Sequence, residues 1–168
     1  MKILGYFLED GRGCRFFTED DRPVCEVREL PARAPMTLVR VLADGRRLEC
    51  LYDFDSTLVP GLTRVMREVP ADADAPGFDR DGAPEAWRVT LTGFHGVTLR
   101  AAGQEAQVLQ NRREYAFFRG ERMFCVLRHA NLPGRPQDRL AFVADVPAPL
   151  DPNFLLPMLA YPAMRFLV

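Results

Sequence analysis

The nineteen residues from Leu150 to Val168 constrain the fold more than any other stretch: Leu-Asp-Pro-Asn-Phe-Leu-Leu-Pro-Met-Leu-Ala-Tyr-Pro-Ala-Met-Arg-Phe-Leu-Val. On a helical projection Phe154, Leu155, Met158, Leu159, Tyr161, Met164, Phe166 and Leu167 occupy every side. A surface helix keeps a polar face for water, so a helix apolar all round has to be enclosed all round. Asp151 suits an N-cap, and Pro152 suits the first helical position, where its missing N–H has no partner to lose. A core helix over 151–167 is expected. Pro157 and Pro162 oppose a straight rod, because a proline inside a helix costs about 3 kcal/mol and bends the axis. A kink or restart at one of them is the expectation.

Ahead of this segment, period-two patches separated by turn residues dominate. They predict strands over 2–8, 14–18, 23–28, 36–42, 46–52, 62–68, 87–92, 95–101, 105–110, 114–118, 122–129 and 139–146. The divisions fall on Asp10-Gly11, Asp20-Asp21-Arg22-Pro23, Asp44-Gly45, Gly93, Gly103 and Arg119-Gly120. Asp44-Gly45 is the clearest hairpin signal: Leu38, Val39, Val41 and Leu42 lead in, and Leu48, Cys50 and Tyr52 alternate on the way out. Short strands enclose a helix most economically by curling around it. The sequence therefore predicts a mainly β fold, an antiparallel β-barrel of about twelve strands enclosing the C-terminal apolar helix.

Residues 1–168 read as a single domain, with strands in 1–146, a long acidic loop over 70–84 and the core helix over 151–167. The loop is rich in Pro, Gly, Ala and Asp and has no apolar periodicity. It is not a domain boundary, because neither flank holds enough apolar residues for its own core. A second irregular loop is expected over 131–138. The net charge of −1 gives no global attraction to nucleic acid, which lowers that class of function. Cys14, Cys25, Cys50 and Cys125 have no CxxC spacing, and a chain of this length needs no disulfide staples. No signal peptide is evident, since Glu9, Asp10 and Gly11 break the first apolar run. The terminal segment makes a poor membrane span, being short and interrupted by Pro157, Pro162 and Arg165. A soluble, cytoplasmic chain with reduced thiols is expected.

Three stretches carry a family resemblance. Arg15-Phe16-Phe17-Thr18-Glu19-Asp20 followed by Val24-Cys25-Glu26-Val27 alternates a strand, a polar turn and a second strand. Val39 to Leu48 repeats that design. Phe118 to Arg128, then Leu140-Ala141-Phe142-Val143-Ala144-Asp145 and the apolar segment, forms a closing pair of strands with a helix. In this order of elements the chain resembles the tubby C-terminal-like family, the group of tubby proteins, phospholipid scramblases and LURP-one-related proteins with its small bacterial stand-alone members. The resemblance implies a barrel around a helix and a binding role. In tubby-type domains basic side chains hold phosphoinositide headgroups. The prolines of the last segment and the 70–84 loop depart from the pattern.

Four constellations suggest chemistry. Asp53-Phe54-Asp55-Ser56-Thr57-Leu58 is similar to the first motif of haloacid-dehalogenase-type phosphatases. On that reading Asp53 is the nucleophile, Asp55 the acid/base, and Mg²⁺ bridges the site. No lysine follows, so Arg64 or Arg67 would have to steady the phosphoryl group, and the chain lacks the alternating helices of a parallel sheet. Cys125 and His129, four residues apart on a strand, are separated by about 13 Å and do not make a nucleophile and base. His95 falls in a turn and completes no zinc site. Asp79, Asp81 and Gly82 begin a calcium-loop pattern that fails at Thr90, where a Glu is needed.

Arg112, Arg113, Arg119 and Arg122 gather near one predicted hairpin, interleaved with Tyr115, Phe117 and Phe118. On one face they would form a site for an anionic headgroup, held by bidentate hydrogen bonds. With a helix filling the interior, function is expected on the outer barrel surface. The reading is a non-enzymatic binding or adaptor module for an anionic phospholipid headgroup or a protein partner, cytoplasmic or peripheral to the membrane. It uses no cofactor, metal or nucleic acid. The phosphatase is the alternative. A scramblase-like role is disfavoured, as no further spanning segment follows Val168.

Overall fold

The computed structural model describes residues 2–10, 13–32, 36–53, 63–73, 83–92, 96–111, 114–131, 138–144, 154 and 156–160. The side chains of 2–4, 9, 10, 52, 53, 128–131 and 138–144 lie outside that description. Twelve strands form among these residues. They are β1 (Lys2–Asp10), β2 (Gly13–Thr18), β3 (Pro23–Pro31), β4 (Met36–Ala43), β5 (Arg46–Asp53) and β6 (Thr63–Val69), then β7 (Glu85–Leu91), β8 (Gly96–Ala101), β9 (Gln104–Gln110), β10 (Glu114–Arg119), β11 (Arg122–Asn131) and β12 (Asp138–Ala144). Each overlaps a strand expected from the sequence. The C-terminal helix is described at residues 154 and 156–160.

All described ladders are antiparallel, and each strand pairs with its neighbour in the chain. One ladder joins elements far apart in sequence: β1 also pairs with β12, from Lys2 opposite Ala144 to Tyr6 opposite Ala141. The tight turns set the register. Asp44-Gly45 and Ala102-Gly103 have φ of 48° and 72°, and 49° and 72°. Two successive positive values fit a type I′ turn, whose twist matches that of the flanking strands. Asp tolerates this backbone conformation and Gly is indifferent to it, whereas Ala102 is strained there.

Alternation decides which face is apolar. In β9, Ala106 and Val108 are buried while Glu105, Gln107 and Leu109 are exposed. In β7, Trp87, Val89 and Leu91 are buried. The buried faces of β1 to β11 join in one apolar cluster with Phe154, Met158, Leu159 and Ala160 of the helix, each of these four no more than 1% exposed. Pro157 is helical and buried. Asp151, Pro152, Leu155 and Pro162 lie outside the described residues. No helix among those described is long and apolar enough to cross a membrane.

Candidate functional site at the mouth of the sheet

The antiparallel order sorts the connections into two ends. One end carries residues 19–22, Asp44-Gly45, the 70–84 connection, Ala102-Gly103 and Gly120-Glu121. The other end carries the connections after β1, β3, β5, β7, β9 and β11. A cavity of about 470 Å³ opens at the Gly45 end. Its apolar side comprises Val24, Ala43, Ala86, Trp87 and Ala102, with Leu156 and Pro157 of the helix. Asp44, Arg46, Glu68 and Glu85 supply its charge.

These charges are partly spent on one another. Arg46 grips Glu68 with two hydrogen bonds, Nε to Oε1 at 3.0 Å and Nη2 to Oε2 at 2.9 Å. Arg88, which does not line the cavity, holds Glu85 the same way at 2.6 and 2.7 Å. Hydrogen bonding to Arg46 lowers the Glu68 pKa from the ordinary 4.5, and hydrogen bonding to Arg88 lowers that of Glu85. Both carboxylates therefore stay ionised into the acid range. Asp44 adds a third carboxylate; the hydrogen bond to Glu68 raises the Arg46 pKa most, and the field of Asp44 adds to it.

Of the arginines singled out from the sequence, two fall among the described residues. Arg119 and Arg122 flank the β10–β11 turn and are cross-strand partners. The Arg119 guanidinium lies 5.0 Å from the centre of the Phe124 ring and 5.5 Å from that of Phe154, and it donates to Gln104 Oε1. It thereby caps the aromatic core at the cavity's end of the sheet. Arg112 and Arg113 lie outside the described residues. Asp53 is the last residue of β5 with its side chain undescribed, and Asp55 lies outside the described residues.

The phosphatase reading also needed a substitute for lysine. Arg67 donates to the Ala83 carbonyl at 2.9 Å, at the Gly45 end, whereas Asp53 closes β5 at the opposite end. Arg64 acts electrostatically on the buried Cys50. The antiparallel ladders supply no parallel strand ends for such a site. Cys125 is fully buried, and burial pushes its thiol pKa well up, away from a nucleophile's range. His95, Asp79, Asp81 and Gly82 lie outside the described residues, as does the His129 side chain. Among the described residues no three His, Cys, Asp or Glu side chains gather in a way that could hold a metal ion.

One buried ion pair is invisible to sequence reasoning. Glu49 and Arg47, 2% and 6% exposed, lie on the face of β5 opposite the core. Glu49 Oε1 accepts from Arg40 Nε and Arg47 Nε, both at 2.7 Å, and Arg47 also donates to the Ala73 carbonyl. The start of the 70–84 loop thus rests on the sheet, and Arg67 anchors its end through Ala83. Alternation alone reads Arg47 and Glu49 as solvated, because the segment covering them is distant in sequence.

Fold and cavity together define a mainly β protein whose described recess lies at a sheet end. The chain matches no protein-family model, no curated protein and no solved structure.

Proposed function

We propose that this chain is a non-enzymatic binding or adaptor module of the tubby-like type, a closed twelve-stranded barrel around its C-terminal helix that meets its ligand from outside. The observation that carries this reading is the β1–β12 ladder, taken with the burial of Phe154, Met158 and Leu159 among the inner faces of the strands. A barrel so filled leaves no roomy interior, so recognition falls to the outer wall and the mouth. Amide hydrogen exchange tests the closure. The ladder amides of β1 and β12 are expected to exchange as slowly as those of β4 and β5. Rapid exchange along one side of β1 or β12 would mark an open sheet edge and remove the tubby-like reading.

Between the two ligand classes, a protein partner fits the wall better than a lipid headgroup. Its guanidinium groups already hold carboxylates: Arg28 on Glu26, Arg40 on Glu49, Arg88 on Glu85 and Arg100 on Glu105. The headgroup reading keeps one observation in its favour, the exposed Arg122 beside Arg119 at the Gly120 turn. Flotation with phosphatidylserine, cardiolipin or phosphoinositide vesicles at low salt separates the two. The protein is expected to stay unbound. Salt-sensitive flotation, lost in an Arg112→Ala/Arg113→Ala variant, would establish the headgroup reading and place the module at the cytoplasmic membrane surface. The phosphatase alternative requires Mg²⁺-dependent hydrolysis of p-nitrophenyl phosphate that disappears in Asp53→Asn, and none is expected.

A further inference from the structure

We propose that the cavity at the Gly45 end binds a small organic monocation, a single ammonium group carried on a compact apolar body. The proposal rests on the reading of the chain as a binding module, though not on closure of the barrel. Three observations converge. A volume of about 470 Å³ lies within the usual range of about 300–1,000 Å³ for small-molecule sites and is too confined for a folded partner. One side of the cavity is apolar, formed by Val24, Ala86, Trp87, Leu156 and Pro157, so an uncharged body displaces water there favourably.

The charge balance selects the ligand's sign and number. Asp44, Glu68 and Glu85 bring three carboxylates, and Arg46 and Arg88 neutralise two of them through the paired hydrogen bonds described above. Among the lining side chains and their ion-pair partners one negative charge remains. An anion would meet it across the cavity and be repelled. A dication would leave one charge uncompensated. A monocation balances the site.

Trp87, the only tryptophan in the chain, lines the cavity, so its fluorescence reports occupancy without a label. Phenethylamine, 2-phenylethanol and phenylacetate share one aromatic body and differ in charge. Phenethylamine is expected to change Trp87 emission saturably, with the alcohol weaker and the carboxylate silent. Asp44→Asn removes the residual charge, and Asn accepts the positive φ at this turn, so the variant keeps its fold. It should weaken phenethylamine about 2- to 5-fold, the range for one exposed charge, and erase the preference for amine over alcohol. Amide shifts of Ala86, Ala102 and Leu156 should follow the same isotherm.

An equal response to all three compounds, or none at millimolar concentration, would overturn the proposal. So would tighter binding of N-acetyl-lysine amide than of phenethylamine, which would assign the cavity to a peptide side chain. A failed titration beside slow β1 and β12 exchange refutes the cavity alone. Rapid exchange refutes the tubby-like reading alone.

Discussion

Ala102 illustrates how much one residue decides. It takes the first central position of the β8–β9 turn with φ of 49°, a region where a Cβ crowds the following carbonyl. Asp44 in the matching turn belongs to a type that tolerates this backbone, and Ala does not. Ala102→Gly is expected to raise stability by about 0.5–1 kcal/mol after the entropic cost of the added freedom. The measurement is a higher urea midpoint with an unchanged m-value. Gly5 is the opposite case. It sits at the β1 bulge opposite β12, where a Cβ would collide with the Phe17 carbonyl oxygen and the Phe16 ring. Gly5→Ala should cost about 1–3 kcal/mol, the range for overfilling a packed site.

The four thiols make a further residue-scale prediction. All are buried, and burial raises the Cys25 pKa to about 12 and that of Cys50 to about 11. Reaction with iodoacetamide at pH 8 should therefore track global unfolding, with all four sites labelled together in urea.

At the scale of elements, the β5 strand and the loop that rests on it depend on each other. Glu49 holds two guanidinium groups on a side of the sheet that a simple barrel would leave wet. Glu49→Gln leaves Arg47 buried with a weaker partner and should cost about 3 kcal/mol, while the paired change Arg47→Met/Glu49→Leu should lie closer to the parent protein. Comparing the urea midpoints of the two variants checks this.

The ion pairs at the mouth set a pH dependence of known sign. Glu68 and Glu85 have folded-state pKa values below the ordinary 4.5, so each binds its proton less readily when folded. Their contribution is present in full above that value and is lost as pH falls through the lowered one. Both are more than a third exposed, or nearly so, which keeps the effect small and salt-sensitive. A Glu68→Gln/Glu85→Gln variant should show a flatter decline in stability between pH 5 and pH 3 at low salt.

At the scale of the molecule, the strands were legible because each carries its own period-two pattern and turn chemistry. Leu38 to Tyr52 contains everything its hairpin requires. The burial of Phe154, Met158 and Leu159 was legible for a similar reason, since a segment without a polar side has no place on a surface. The cavity was not, because its walls come from β3, the β4–β5 turn, β6, β7, the β8–β9 turn and the helix, and no short window contains them. The Arg47–Glu49 pair was missed because its cover is remote.

The single ladder between chain neighbourhoods that lie far apart has a consequence during synthesis. β1 leaves the ribosome well before β12, its second partner, and before the helix that packs into the core. Hairpins can form in order as they emerge, yet their oily sides stay wet until β12 and the helix follow. A nascent chain of this kind is a natural client for holdase chaperones, and its vulnerability to aggregation is concentrated in the interval before the helix emerges.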